Sequence, residues 1–287
     1  MNQPAAWSRL VSAEIMKLRT TTAWWLFVGG FTVVTALAVG LNCVGQHYAL
    51  FPQTDAFDRA QKLTEAAADR TPAGAAAMAA SLMTSGQTLT VLFALLLGSY
   101  VVTSEYVNRT VTTTFLTVPH RGRIIAAKLA AATSFGALFW LIATVVNAVV
   151  TPVFLSSQHL SVPLTAAVVT RSVALSLPAF ALWAAFGLGL GAVIRSQAVA
   201  IVVGLVCFVG GFAAVAAVSQ LVYDAVHQDW LFSARVIAPA VASQVMITSG
   251  RAFPHAPPQW VGAVIMAGYG LALTAAGIIQ TRRRDVT

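Results

Sequence analysis

Two short segments concentrate charged residues at spacings that could form ion pairs. Glu14 and Lys17 stand three residues apart near the amino terminus. Glu105 and Arg109 stand four residues apart, in the order that favours an ion pair on one face of a helix. Further cations follow in the segment SEYVNRTVTTTFLTVPHRGRIIAAKL (104–129), at Arg121, Arg123 and Lys128. Ion pairing and docking are the chemistry that such residues perform.

The patterns of catalysis and of cofactor binding are missing from the chain. It contains no GxxxxGK[ST] phosphate loop, no HExxH zinc motif and no GxSxG nucleophile elbow. The five histidines are scattered through polar segments, and Cys43 and Cys207 form no CxxC pair. We therefore expect no catalytic residue, no bound cofactor, no metal and no disulfide framework in this chain.

The composition identifies the kind of scaffold that must position these charges. Of the 287 residues, 58% are hydrophobic and 9% are charged, whereas a soluble domain carries about 25% charged residues. The mean hydropathy is +0.78. The apolar runs are continuous and far longer than the alternating strands of a membrane barrel. The sequence therefore predicts an all-α polytopic membrane protein.

Six apolar runs are long enough to cross a bilayer, which needs about 20 residues. They divide the chain into a cytoplasmic interfacial segment (1–22), one transmembrane domain (23–280) and a basic cytoplasmic tail (281–287). Thr71 and Pro72 form a helix start at the second run. The predicted spans are 23–45, 73–103, 126–155, 163–194, 198–222 and 258–280.

Lysine and arginine residues predict the orientation of these spans. With both termini in the cytoplasm, the inner side holds eleven of these cations and the outer side holds five. This bias favours an orientation with both termini inside. It also explains the formal net charge of +8 without a nucleic-acid partner.

The segment 5–20 has the pattern of an amphipathic helix in the cytoplasmic interface. Glu14 projects near the middle of its apolar face, where an unpaired carboxylate would be costly. Two interpretations remain open: Glu14 reaches a basic group, such as Arg109 or another inner arginine, or it extends to water. The apolar face comprises Trp7, Leu10, Val11, Ile15 and Leu18.

Within the predicted spans, few side chains carry polar chemistry. No Asp or Glu falls inside them, so a carboxylate relay of the kind used by ion-driven carriers is not expected. Arg171 could neutralise an anionic substrate, but outward extension to the interface is favoured. Asn147 could hydrogen-bond another helix. Gly187 and Gly191 have the GxxxG spacing that permits close helix contact. The outer segment 230–250, broken by Pro239, predicts one or two short helices.

The polar segment 104–125 is the longest inner loop and the best candidate for a docking surface. We expect span two to continue into the cytoplasm as a helix, which would pair Glu105 with Arg109. The run TVTTTFLTV (110–118) is β-branched, so a helix there would depend on packing against a partner. Anionic lipid would explain the cations. It does not explain Phe115 and Leu116 in an otherwise polar loop.

These motifs resemble those of bacterial ABC-2 type permeases, the membrane subunits of ABC exporters. AEIMKLRTT (13–21) resembles the interfacial helix of that family, with Glu14 and Lys17 in its Glu-x-x-Lys pattern. GLGLGAVIRSQAVA (187–200) resembles its turn between spans four and five. Arg109 stands where the family often has glycine. The first inner loop is similar to the family's at Glu105, Thr110, Pro119, Arg121 and Lys128.

The resemblance implies a permease of the bacterial cytoplasmic membrane that couples to a separate soluble ABC ATPase through the 104–125 loop. ATP and Mg²⁺ would bind the ATPase, and a second permease copy or a related permease would complete the path through the lipid. Glu105, Arg109, Thr110, Phe115, Leu116, Pro119 and Arg121 would form the coupling loop. The alternatives are a self-sufficient carrier or channel, and a membrane enzyme or assembly factor. The substrate is left open.

Overall fold

Helices account for the architecture of the computed structural model, which describes residues 3–52, 59–110, 121–160, 164–226, 233–248 and 256–283. No strand occurs among these residues. A π-helical turn, Val206–Gly210, joins α8 to α9, and a 3-10 turn, Arg235–Ile237, precedes α10. The helices are α1 (Gln3–Arg19), α2 (Ala23–Leu50), α3 (Arg59–Asp69), α4 (Pro72–Met83), α5 (Gln87–Val107), α6 (Arg121–Ser157), α7 (Ala167–Ile194), α8 (Gln197–Leu205), α9 (Gly211–Val226), α10 (Pro239–Ile247) and α11 (Gln259–Arg283).

Six described helical segments are long and apolar enough to cross a membrane, which confirms the predicted all-α polytopic class. In chain order the spans are α2, α4 with α5, α6, α7, α8 with α9, and α11. The short helices predicted between spans five and six are the 3-10 turn and α10. Span two ends at Val107 rather than at 103. Glu105 therefore lies in the last turn of a span, which corrects the expectation that no acid would fall inside one.

Span two is interrupted between α4 and α5, a feature that the sequence analysis did not predict. Gly86 takes a left-handed φ of 74°, and a Cβ there would lie 2.6 Å from the Ala38 side chain. Backbone groups freed by a break in a membrane helix need other partners. Asn147 Nδ2 donates to Met83 O at 3.0 Å and to Ser85 O at 3.4 Å. The prediction that Asn147 bonds another helix is thus confirmed.

Helix α7 lies at the centre of the bundle because its glycines let neighbouring backbones come close. A Cβ on Gly187 would lie 1.9 Å from Leu95 O of α5, and one on Gly191 would lie 2.7 Å from Ser99 O. On another face of α7, a Cβ on Gly189 would lie 2.6 Å from the Cβ of Leu273 of α11. The predicted close contact at the GxxxG spacing is confirmed, and its partner is α5.

Aromatic side chains join the first four spans around the middle of the bundle. Phe31 of α2 stacks on Phe139 of α6 with ring centroids 4.6 Å apart. It also makes edge contacts with Phe93 of α5 and Phe180 of α7. Such pairs add to the stabilisation from area burial alone. This cluster fixes the spans whose ends carry the charged residues.

Candidate functional site

Four charged side chains from three helices meet at one end of the bundle. We name Glu14, Lys17, Glu105 and Lys128 the charged quartet. Lys17 Nζ lies 2.7 Å from Glu14 Oε1 and 2.8 Å from Glu105 Oε1. Lys128 Nζ lies 2.7 Å from Glu14 Oε2 and 2.8 Å from Glu105 Oε1. Each lysine thus bridges both carboxylates, and the four formal charges cancel.

The local sequence explains how each helix delivers its charge. Glu14 and Lys17 are one helical turn apart on α1, where the neighbouring Leu18 packs into the core. Glu105 belongs to the last turn of α5. Lys128 stands among alanines near the start of α6, and their small side chains allow close approach. Those alanines, Ala127, Ala131 and Ala132, are fully buried.

Burial makes this arrangement demanding. The side chains of Lys128, Glu14 and Glu105 are only 5%, 8% and 11% exposed, whereas that of Lys17 is 47% exposed. A buried charge is tolerated when it is paired and hydrogen-bonded, and removal of one partner is strongly destabilising. Lys128 Nζ also lies 3.4 Å from Val101 O. The quartet therefore holds α1 against the ends of α5 and α6 that flank the 104–125 loop.

The pKa of Lys17 shows which influence prevails at the wetter edge of the quartet. Burial lowers the pKa of Lys17, but its hydrogen bonds and charge attraction to Glu105 and Glu14 outweigh that effect, so the pKa lies above the ordinary value. Lys17 therefore stays protonated throughout the physiological pH range.

The quartet resolves the two interpretations of Glu14. Glu14 does reach basic groups, but they are Lys17 and Lys128, not Arg109. The predicted helical pair of Glu105 and Arg109 is wrong, because α5 ends at Val107. Arg109 lies two residues beyond, exposed, with a left-handed φ of 54°. The two side chains therefore do not share a helical face, and Glu105 turns to the lysines.

The remaining predicted loop residues are only partly within the described chain. Thr110 is exposed, and its backbone N–H donates to Glu105 O at 2.9 Å. Phe115, Leu116 and Pro119 lie outside the described residues. Arg121 is the first residue of α6. The structure thus brings Glu14, Lys17 and Glu105 together and places Arg109 and Thr110 in the turn that leaves this cluster.

A second contact ties the turn between spans four and five to the same end of α5. The guanidinium of Arg195 lies 5.7 Å from the ring centroid of Tyr106, which is a cation–π distance. Arg195 takes a left-handed φ of 60° at the end of α7, and its N–H donates to Gly191 O. The base of the 104–125 loop therefore contacts three other parts of the bundle: α1, α6 and this turn.

A cavity of about 440 Å³ opens beside the quartet, between α1 and α5. Glu14, Lys17 and Glu105 form one of its walls, and Asn108 and Thr110 lie where the loop begins. The other lining residues are Leu18, Thr20, Thr21, Tyr100, Val101 and Ser104.

Sequence reasoning missed the part that Lys128 and Arg195 play. The sequence analysis groups Lys128 with Arg121 and Arg123, although a single lysine inside IIAAKLAAA is a signal of a buried, paired charge. Arg195 and Tyr106 are separated by two spans and two connecting segments, so no local pattern could pair them. Among the described residues, no group of three or more His, Cys, Asp or Glu side chains is arranged to hold a metal ion.

Comparison with known proteins gives one family. A family model described as ABC-2 family transporter protein matches residues 9–286, which is nearly the whole chain. The search of curated proteins finds no match. The matched range includes the whole charged quartet, the 104–125 loop and all six spans.

Proposed function

The chain belongs to the ABC-2 family of transporter proteins and is a multi-pass membrane permease, and we propose that it exports its substrate by coupling to a separate soluble ATPase. The coupling surface comprises the 104–125 loop and α1. The observation that carries this proposal is the charged quartet, which joins α1 to the helices on both sides of that loop.

The quartet supports coupling because it joins α1, α5 and α6, so that a displacement of one of these helices also displaces the other two. The loop leaves α5 three residues after Glu105 and re-enters the bundle at α6, whose Lys128 bonds the same carboxylate. Both ends of the loop are therefore held at one point. A force applied to the loop or to α1 would move α5 and α6 together, and the aromatic cluster around Phe31 would pass that movement to spans one and four.

The ATPase is proposed as a separate chain because this sequence contains no phosphate-binding loop. ATP and Mg²⁺ would then bind to the partner. Arg109 and Thr110 are exposed where the loop begins, and a docked ATPase would contact them there. The apolar Phe115 and Leu116 would supply the packing contacts that an exposed polar loop otherwise lacks.

A second copy of this chain, or a related permease, would complete the transport path. Span five is the most apolar of the six spans, yet only 18% of its apolar stretch is buried within the chain. Exposed aliphatic side chains along α8 and α9 would face lipid or the second permease. They include Val199, Val202, Leu205, Val206, Val209, Val218 and Leu221.

The test is co-purification of the ATPase from native membranes in mild detergent, with mass spectrometry of the bound chains. The variant should combine Arg109→Glu with Phe115→Ala and Leu116→Ala, because reversal of Glu105 would break the quartet itself. We expect a P-loop ATPase with the unaltered chain and little or none with this variant. Arg171→Glu, the same charge change at an exposed arginine on α7, is the matched control and should retain the ATPase.

Two outcomes would count against this assignment. Full retention of the ATPase by the loop variant would remove the loop from the docking surface while leaving the permease function. No ATPase with the unaltered chain, from membranes in which ABC complexes survive extraction, would favour the self-sufficient carrier.

A further inference from the structure

The break in span two opens into a cavity at the end of the bundle opposite the charged quartet. This cavity has a volume of about 370 Å³ and is bounded by α2, α4, α5, α7 and α10. Nine of its lining residues are polar, and no charged side chain among the described residues lines it. The polar residues are Asn42, Ser81, Thr84, Ser85, Gln87, Thr88, Ser172, Gln244 and Thr248.

The two helix ends that meet at the break differ in how their backbone groups are satisfied. At the carboxyl end of α4, side-chain amides donate hydrogen bonds to backbone carbonyls. Asn42 Nδ2 lies 3.3 Å from Ser81 O, and Asn147 Nδ2 donates to Met83 O and Ser85 O. At the amino end of α5, Gly86 occupies the capping position without a side-chain cap hydrogen bond among the described residues, and the N–H groups of Gln87 and Leu89 donate to the backbone carbonyls of Thr84 and Gly86. The positive end of the α5 dipole, where hydrogen-bond acceptors are favoured, therefore faces the cavity wall.

Two residues that line the same cavity carry buried polar atoms without partners among the described residues. Gln87 is 6% exposed and Ser172 is 1% exposed. Within the part of the chain that the structure describes, the Oε1 and Nε2 atoms of Gln87 and the Oγ of Ser172 have no hydrogen-bond partner. Buried polar groups are almost always satisfied, so an unsatisfied amide beside a cavity calls for a ligand or an ordered solvent molecule. Rotation of the Gln87 side chain about its own bonds would present its amide to the cavity.

We propose that this cavity binds an uncharged polar group of a small molecule, one that offers a hydrogen-bond donor and an acceptor oxygen side by side. A carboxamide or a pair of hydroxyls has this chemistry. The Gln87 amide would donate to the acceptor and accept from the donor, while the uncapped end of α5 would favour the acceptor oxygen. A charged group is excluded because it would lose its hydration without meeting an opposite charge.

The test uses the full chain alone, purified and placed in phosphatidylcholine nanodiscs without any ATPase. The probe is a short alkyl diazirine that ends in a primary carboxamide, and unlabelled hexanamide is the competitor. On illumination we expect saturable crosslinks within residues 77–88 and 244–248, reduced by hexanamide. An otherwise identical probe that ends in trimethylammonium should give no saturable crosslink there.

Two variants and one control make the result specific. Gln87→Leu should weaken competition by hexanamide about tenfold, because both hydrogen bonds of the amide are lost. Ala77→Phe should do so by filling the cavity while leaving Gln87 in place. Gln158→Leu, at the end of α6 and outside the cavity, should bind as the unaltered chain does. Melting temperatures establish whether each variant is folded. If Gln87→Leu does not fold, the result with Ala77→Phe alone tests the proposal.

Equal crosslinking by the charged and the uncharged probes would overturn the proposal. So would crosslinking that neither variant reduces, or the absence of saturable crosslinking, which would leave solvent as the occupant. None of these outcomes bears on the ATPase, since the assay contains none. Failure here is thus distinguishable from failure of the proposed coupling.

Discussion

At the scale of single residues, the quartet illustrates that the value of a buried charge depends on its neighbours. Lys128 and Lys17 each bridge the same two carboxylates at nearly the same distances. They differ in surroundings, since water reaches about half of Lys17 and almost none of Lys128. Solvent can therefore compensate for the loss of Lys17 but not for the loss of Lys128.

Lys128→Met is therefore expected to destabilise the protein far more than Lys17→Met. The first change leaves the two buried carboxylates of the quartet with Lys17 as the quartet's one remaining cation, and it should cost about 3–5 kcal/mol. The second should cost about 1 kcal/mol or less, as for other solvent-exposed ion pairs. Thermal unfolding in one detergent measures both variants. Equal losses of stability in the two variants would show that water reaches Lys128 as readily as Lys17.

A double substitution separates charge balance from contact loss. Lys128→Met combined with Glu14→Gln removes one cation and one anion, and Lys17 and Glu105 remain paired at 2.8 Å. We expect this double variant to be less destabilised than the sum of its two single variants, with a coupling energy of about 1–3 kcal/mol. Strict additivity in the same unfolding assay would contradict the idea that the four charges act as a unit.

The raised pKa of Lys17 also gives the direction of the pH dependence. A lysine whose folded pKa is raised contributes stability that is complete below its unfolded value of about 10.4. That contribution is lost as the pH rises through the folded value. Lys17→Met should therefore narrow the difference in melting temperature between pH 7 and pH 11. An unchanged difference would indicate that Lys17 is not held by the carboxylates.

How far the sequence predicts the site can be seen at Glu14. A carboxylate in the middle of an apolar helical face signals a partner, and that inference from the sequence is correct. The identity of the partner depends on which helix lies beside α1, and this is decided by packing over more than a hundred residues. The resemblance to the family singled out Lys128, whereas reasoning from local charge placed it at the surface.

At the scale of elements, backbone contact between α5 and α7 holds the centre of the bundle. Gly98 of α5 lies against Ala184 O of α7, and Gly187 of α7 lies against Leu95 O of α5. Each helix thus has a glycine where the backbone of the other helix comes close. Lipid-exposed apolar surface gives no net driving force for helix association, and close packing has to supply it.

Gly187→Ala is expected to disrupt this contact despite the better helix propensity of alanine. The added Cβ would stand 1.9 Å from Leu95 O, so the helices must separate, at a cost of about 1–3 kcal/mol. Gly40→Ala on α2 is the matched control, since nothing lies within 4 Å of a Cβ there. It should be neutral or stabilising by up to about 1 kcal/mol. Melting temperatures that rank the two variants in the opposite order would refute the contact.

The asparagine at the break gives a second test of an element. Asn147→Leu would leave the carbonyls of Met83 and Ser85 without their side-chain donor and should cost about 1–3 kcal/mol. Thr144→Val is the control, because Thr144 bonds only the Trp140 carbonyl of its own helix. Hydrogen exchange of residues 83–88 should rise in the first variant and stay constant in the second.

The elements themselves show which features a linear pattern can predict. Six long apolar runs predicted six spans, because hydrophobic length is a property of the local sequence. The break in span two was missed, because Thr84, Ser85 and Gly86 are also common within continuous membrane helices. The break is stabilised by Asn42 and Asn147, which come from two other spans. The predicted continuation of α5 as far as Arg109 failed for a related reason, since a left-handed turn ends the helix.

At the scale of the whole molecule, α1 reaches the core through Leu18, but the central contacts of the bundle are made by other helices. The aromatic cluster and the contact of α5 with α7 involve no residue of α1. Removal of residues 1–19 would remove Glu14 and Lys17, one acid and one base of the quartet. Glu105 and Lys128 would remain as a neutral pair at 2.8 Å. The truncated chain therefore avoids the unpaired charge that makes the single substitution Lys128→Met so costly.

We accordingly expect the truncated chain to insert and fold. The inner side would still hold eight lysines and arginines against five outside, since Arg9, Lys17 and Arg19 are the three lost. If α1 transmits force from the ATPase, this chain should co-purify with the ATPase through the 104–125 loop. It should nevertheless fail to change the ATP hydrolysis rate when reconstituted in vesicles. A truncated chain that retains the full effect on hydrolysis would show that the loop couples without α1. One that neither inserts nor folds would show that α1 belongs to the structural core.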